Sequence, residues 1–98
     1  MLVVLAKLTV QPEKKGELLE YAKALIAATR LEEECISYEL LADPYDASKL
    51  MFVERWTDKR ALEKHLQTPH IQLWRRQSLP LLAEKMVVGL YYSEEIAL

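Results

Sequence analysis

Residues 35–57 read CISYELLADPYDASKLMFVERWT and carry the clearest fold signal in the chain. The first run, residues 35–42, and the second run, residues 49–57, are rich in aliphatic and aromatic side chains and have the length of strands. Residues 43–48 between them hold Asp, Pro, Tyr and Ser, a composition typical of a turn. The stretch therefore predicts an antiparallel hairpin.

Another strand is predicted upstream, over residues 2–10. Side chains alternate between the two faces of a strand, and one face here is wholly apolar: Leu2, Val4, Ala6, Leu8 and Val10. The other face begins with Val3 and Leu5 and ends in Lys7 and Thr9. A strand that is apolar on both faces over half its length is expected to be covered on both sides.

A helix is predicted between this strand and the hairpin. Pro12 suits the first position of a helix, and Glu13 suits its positive end. Apolar side chains at helical spacing continue to about Leu31. The acidic run 32–34 follows. Because acids are unfavourable at a helix C-terminus, this run is interpreted as a helix exit that faces water.

Two more helices and a last strand are predicted after the hairpin. Thr57 or Asp58 caps the first helix, and Thr68–Pro69 repeats a cap-then-proline signal that starts the second. Pro80 is expected to end or kink this second helix. Residues 86–92 predict the last strand.

The resulting order is β-α-β-β-α-β, with the second helical region split in two, which is the ferredoxin-like arrangement. The predicted fold class is α+β, with residues 1–98 as one domain and a four-stranded antiparallel sheet carrying helices on one face. The other face of the sheet is apolar and bare. Because identical patches close on themselves in a symmetric pair, a homodimer packed sheet to sheet is expected. Gly89 in the last strand marks an expected bulge.

The composition excludes several functional classes. Two glycines cannot supply a phosphate-binding loop or a dinucleotide fingerprint, and one cysteine excludes a disulfide framework and a multi-cysteine zinc site. A net charge of −2 gives no electrostatic footprint for nucleic acid. No apolar run has the length of a membrane span, and the start lacks the features of a signal peptide. With a free Cys35, these features predict a cytoplasmic protein.

Few side chains are suited to catalysis. His65 and His70 are the only groups that titrate near neutrality without help, and either could be a surface or capping residue or a general base. They lie five positions apart with Pro69 between them, so they are not a metal pair of the His-x-x-x-His kind. Glu54 and Trp56 share one face of the third strand. Trp56 is either core or the wall of a pocket for a flat ring, with a polar residue at its mouth.

Five short motifs stand out when the chain is taken as a whole. They are Glu34-Cys35-Ile-Ser-Tyr38-Glu39-Leu, Asp43-Pro44, Phe52-Val-Glu54-Arg55-Trp56, Ala61-Leu62-Glu-Lys-His65-Leu66 and Thr68-Pro69-His70. Together they resemble the antibiotic biosynthesis monooxygenase family, and residues 62–70 look especially similar to its bacterial quinol monooxygenases. The resemblance implies a dimeric α/β barrel that oxidises a quinol or related small aromatic with O2, without flavin or metal.

The resemblance also implies roles for individual residues. His65 and His70 stand at the family's histidine positions, and either is expected to be the catalytic base. The residues expected to bind the substrate are Trp56, Phe52, Trp74 and Glu54. No cofactor and no metal is expected. Haem ligation is disfavoured, because the haem-degrading branch typically carries tryptophan where His65 stands and a haem-ligating histidine near Arg75.

Two other functions stay open. The first is an isomerase or a small-molecule binding protein on the same fold. The second is a dimerisation module without a pocket, which predicts that side chains fill the gap between helices and sheet. An open apolar cavity beside Trp56 would count against that second alternative. One departure from the family pattern is Glu34, which stands where glycine usually precedes the cysteine and alters the turn into the second strand.

Overall fold

The computed structural model describes residues 1–98 as one four-stranded sheet with three helices. The elements are β1 (Leu2–Val10), α1 (Lys15–Thr29), β2 (Cys35–Asp43), β3 (Asp46–Trp56), α2 (Lys59–His65), α3 (Pro69–Ser78) and β4 (Leu82–Tyr92). The strand order is β2-β3-β1-β4, and all neighbouring strands are antiparallel. The predicted α+β ferredoxin-like fold is confirmed.

Helices α2 and α3 begin where the capping residues predict, whereas Pro12–Lys14 form a short 3-10 turn and α1 begins only at Lys15. Asp58 Oδ1 accepts a hydrogen bond from the Ala61 backbone at 2.9 Å, so Asp58 is the cap of α2. Thr68 Oγ1 accepts one from the Ile71 backbone at 3.4 Å, with Pro69 at the start of α3. The second helical region is therefore split in two, as expected. None of the helices combines the length and the apolar character that a membrane crossing requires.

Three local expectations are wrong. The hairpin turn is shorter than residues 43–48, because the strands continue to Asp43 and resume at Asp46. Strand β4 begins at Leu82, four residues earlier than predicted, because Pro80 closes the preceding helix in a short 3-10 turn. Gly89 pairs with Leu5 in regular register, and the irregularity of this strand pair lies elsewhere, between the partners of Lys7 and Thr9.

The core lies between the helices and one face of the sheet. The whole predicted apolar face of β1 is buried there, with exposures from 0% to 5%. It packs against the inward faces of α1, α2 and α3 and against alternate residues of β2 and β3. The largest of these side chains are Tyr38, Phe52, Trp56 and Trp74. Because side chains alternate along β3, this same face presents Glu54 to the core.

The opposite side of the sheet, here called the outer face, carries apolar side chains with no covering layer. Its central members are Val3, Leu5, Met51, Val53, Val87 and Tyr91. Val87 and Tyr91 are 64% and 53% exposed. A Cβ atom on Gly89 would lie 2.6 Å from Tyr91 Oη, so the tyrosine ring lies over the space that glycine leaves. The outer face thus carries an apolar patch in the single chain, interrupted by Lys7 between Met51 and Val87 and bordered by Arg55 beside Val3.

Candidate active site

His65 and His70 are placed by two helices that meet at a break. His65 is the last residue of α2, and His70 lies in the first turn of α3. On one continuous helix, two residues five apart would point about 140° away from each other. Because the chain breaks between the helices, the two ring centroids lie only 5.9 Å apart.

A carboxylate from a distant segment joins the two histidines. Glu32 lies in the turn after α1, and its Oε2 atom is 2.6 Å from His65 Nδ1 and 2.7 Å from His70 Nε2. The expectation that the acidic run 32–34 faces water is wrong for Glu32, whose side chain is 17% exposed. Two imidazole partners offset the cost of an acid near a helix C-terminus, since hydrogen bonds to a charged group are the stronger kind.

The bridging carboxylate fixes which ring nitrogens are free. An ionised carboxylate only accepts hydrogen bonds, so His65 Nδ1 and His70 Nε2 are the donors to Glu32. No hydrogen bond to a protein group involves the other nitrogen of either ring, His65 Nε2 or His70 Nδ1. In the neutral tautomer these free nitrogens hold the lone pair that can accept a proton.

The two histidines differ in burial. His65 is 1% exposed and packs beside Trp56 and Tyr38, with ring centroids 4.7 and 5.6 Å away. Burial lowers the pKa of His65, although the hydrogen bond to Glu32 opposes the shift. The side chain of His70 is 24% exposed. His65 is therefore an anchored imidazole whose protonation is disfavoured by burial, and His70 is the member of the pair that solvent can reach.

The aromatic residues expected to bind a substrate are brought together, but they pack against one another. Trp56 is fully buried, and the Phe52 ring lies 5.2 Å from Tyr38 and 5.5 Å from Trp74 between centroids. The largest of the three main cavities, about 760 Å³, is lined instead by residues such as Lys7, Leu41 and Met51. None of these cavities borders Trp56, Phe52 or Trp74. The aromatic rings pack against one another between the sheet and the helices.

Glu54 is a buried carboxyl group in the same cluster. It is 6% exposed, and its Oε1 atom accepts a hydrogen bond from Trp56 Nε1 at 3.0 Å. The pKa of Glu54 is raised to about 7, chiefly by burial and to a smaller extent by the nearby charge of Glu32, while the Trp56 hydrogen bond opposes the shift. Burial also raises the pKa of Tyr38, which keeps its phenol protonated. Glu54 is therefore protonated through the weakly acidic range.

Sequence reasoning missed Glu32. It lies 33 positions from His65 and 38 from His70, so no local spacing links the three. The only signal was its place in an acidic run at a helix C-terminus. Because acids are unfavourable there, such a run indicates that other groups stabilise the negative charge. Tyr38 is a core residue that contacts both His65 and Trp56.

Comparison with known proteins agrees with the fold and the motifs. The family model described as antibiotic biosynthesis monooxygenase matches residues 1–77. The chain belongs to the antibiotic biosynthesis monooxygenase family. The Bacillus subtilis protein YcnE, whose name provisionally assigns it as a monooxygenase, is 31% identical over 88 residues, which cover 90% of this chain and 93% of that protein.

Other relatives extend the comparison. An uncharacterised protein from Synechocystis is 32% identical over 90 residues, 92% of this chain, which spans only 61% of that relative. A crystal structure described as an antibiotic biosynthesis monooxygenase superposes with a TM-score of 0.92 at 28% identity, covering 97% of this chain and 100% of the other. Rv0793 from Mycobacterium tuberculosis superposes at 0.90 with 29% identity, covering 98% and 97%.

Proposed function

We propose that this protein is a monooxygenase that oxidises a quinol or a related small aromatic with O2 and needs no bound cofactor. The observation that carries the proposal is the Glu32 carboxylate between His65 and His70, in a chain that belongs to the antibiotic biosynthesis monooxygenase family. An imidazole oriented by a carboxylate is an arrangement that general bases use, because the carboxylate stabilises the imidazolium that forms.

His70 is the base in this proposal. Its partly exposed ring can meet a substrate, and its Nδ1 atom is free while Nε2 is bound to Glu32. Glu32 is a positioning residue that sets the tautomer and the direction of the ring. His65, packed against Trp56, holds the carboxylate in place from the core side. A substrate ring next to His70 reaches Trp56 only if the aromatic cluster opens.

The substrate supplies the electrons in this reaction. His70 accepts the phenolic proton, and the phenolate transfers one electron to O2, giving a phenoxyl radical and superoxide. Their combination forms a carbon–oxygen bond, the peroxide takes up the proton, and loss of water leaves a new carbonyl. Quinol plus O2 thus gives hydroxyquinone plus water. The enzyme need only supply the base, orient the ring and exclude water from the radical pair.

Menadiol supplied under air tests this function. We expect O2 uptake above the rate without protein, and a hydroxylated menadione that carries one labelled oxygen atom when the gas is ¹⁸O2. Autoxidation alone gives menadione and hydrogen peroxide, with no label in the quinone. The rate should also survive treatment with EDTA. Uptake no faster than the buffer blank with every quinol offered would exclude the function.

We also propose that two copies pair through the outer face. Support comes from its apolar members, which no layer covers in the single chain: Val53 on a central strand is half-buried, and Tyr91 on the edge strand β4 is exposed. Each Å² of apolar area that pairing removes from water stabilises the dimer by about 25 cal/mol relative to the monomer. Self-complementary pairing of one patch gives a closed dimer.

Light scattering on a sizing column checks the dimer. The wild-type chain of 11.4 kDa should elute with about twice that mass at micromolar concentration. Val53→Glu places a charge in the outer face and should yield a monomer. Lys23→Glu, on the exposed side of α1, is the matched control and should stay paired. A monomeric wild type contradicts the proposal.

A dimerisation module without a pocket is the second candidate. The observation that favours it is the close packing of aromatic rings between the sheet and the helices, where Trp56 is fully buried. The two candidates differ in the menadiol assay. A chain that forms the dimer, leaves oxygen uptake at the blank rate and gains no thermal stability from small ketones or aromatics is a module rather than an oxygenase or a binding protein.

A further inference from the structure

Three side chains from separate segments direct their polar atoms at one point. Glu32 comes from the turn after α1, His65 from the end of α2, and His70 from the start of α3. One atom of each, two imidazole nitrogens and a carboxylate oxygen, lie within 4.8 Å of one another. The arrangement requires both histidines to aim at a single oxygen, Glu32 Oε2.

We propose that Glu32, His65 and His70 form a binding site for a divalent transition-metal ion of the Zn²⁺ type. Two imidazole nitrogens and one carboxylate oxygen are a common three-ligand set for such ions, with the fourth position open to water or another ligand. The nitrogen donors disfavour Mg²⁺ and Ca²⁺, which prefer oxygen ligands. The site goes beyond the proposed oxygenase, whose base needs no metal.

The geometry needs a small adjustment to accept an ion. With metal–ligand bonds of about 2.1 Å in a tetrahedral site, neighbouring ligand atoms lie about 3.4 Å apart. The two contacts of Glu32, at 2.6 and 2.7 Å, must therefore open by about 0.7 Å. His65 is anchored by Trp56 and Tyr38, whereas Glu32 and His70 are partly exposed and free to make this movement.

The partial exposure of His70 also gives the ion a path from solvent. Metal and proton compete for the same atoms: a bound ion displaces the protons that His65 Nδ1 and His70 Nε2 donate to Glu32, and each neutral ring then carries its proton on the other nitrogen. Under the proposed function, an ion at this site would occupy the base and slow oxygen uptake. That inhibition rests on the proposed function, whereas the binding itself does not.

Cobalt titration of chelator-treated protein, without quinol, tests the site. We expect one Co²⁺ per chain, with the visible absorption of a four- or five-coordinate ion and an affinity in the micromolar range, on the order of 1–10 μM. Added Zn²⁺ should displace the cobalt and abolish the absorption. No absorption with cobalt and no heat with zinc at about 1 mM, measured by calorimetry, would overturn the proposal.

Variants locate the ion. Glu32→Gln and His70→Ala each remove one ligand and should weaken cobalt binding by at least about 10–100-fold, the loss known for lesser changes around metal sites. Glu33→Gln, one position away and exposed, is the matched control and should bind as the wild type does. Because His70 is partly exposed, its variant should fold even where a His65 variant does not. Equal binding by wild type, Glu32→Gln and His70→Ala would place the metal elsewhere.

The result is independent of the oxygenase test. Cobalt binding without menadiol oxidation would support the metal site and contradict the proposed function. Menadiol oxidation without metal binding would support the proposed function and contradict the metal site. Where both hold, Zn²⁺ should slow menadiol oxidation by the wild type at the concentration at which it displaces cobalt.

Discussion

Replacing His70 with alanine is expected to lower kcat/KM for menadiol-dependent oxygen uptake by about 10²–10⁴-fold, the usual contribution of a general base. The reason is positional: His70 is the partly exposed member of the pair and keeps one ring nitrogen free of protein partners. The fall should appear in kcat, with KM nearly unchanged, because the variant loses an interaction of the transition state.

A control on the same helix separates the base from general damage to α3. Gln72→Ala changes an exposed neighbour and should retain the wild-type rate. Glu32→Gln should lower kcat by less than His70→Ala does, since Glu32 only orients the base. Equal rates for the wild type and the His65→Ala/His70→Ala double variant would remove both histidines from the role of base.

The second large effect concerns the buried carboxyl of Glu54 and the free energy of unfolding. Its pKa is raised by burial from 4.5 to about 7 in the folded chain. Below pH 4.5 the group is protonated in both states and has no effect. Between pH 4.5 and 7 only the unfolded chain releases the proton, so stability falls as pH rises and then levels off above about 7. The total loss is on the order of 3 kcal/mol.

The variant Glu54→Gln isolates the contribution of Glu54 to the pH dependence of the free energy of unfolding. Glutamine keeps an oxygen that can accept the Trp56 hydrogen bond, but it has no proton to lose. Relative to wild type, the variant should gain on the order of 3 kcal/mol between pH 4.5 and pH 8 in chemical denaturation at fixed protein concentration. Glu63→Gln, on the exposed side of α2, is the control and should not show this gain. Parallel pH profiles for wild type and Glu54→Gln would show that Glu54 does not titrate as described.

The fold could be predicted where the signals are local. The face of β1, the hairpin strands and the caps at Asp58 and Thr68 each follow from a few neighbouring residues. Their predictions hold because side-chain alternation and capping bonds are short-range effects. The start of β4 could not be predicted from a local pattern. The apolar residues around Leu82 suit either a helix or a strand, and only the structure shows that the helix has already ended in the turn at Pro80.

The site could be predicted only in part. Its two histidines stood out as the only groups able to titrate near neutrality, and the family motifs gave them a role. Glu32 had no such signal, since its partners lie more than thirty positions away and are reached only by folding. Whether Trp56 borders a pocket or fills the core depends on the packing of side chains from three elements. The hydrophobic periodicity of the sequence cannot predict that packing.

The bridge from Glu32 to the two histidines also has a kinetic consequence. The segment between them contains the β2–β3 hairpin, so forming the bridge costs the entropy of closing a loop of more than thirty residues. Contacts of this separation are among the non-local pairings that slow folding. A nascent or partly unfolded chain therefore holds two histidines without their carboxylate. If His70 is the base, as proposed, such chains lack its orienting partner and are expected to be inactive toward quinols.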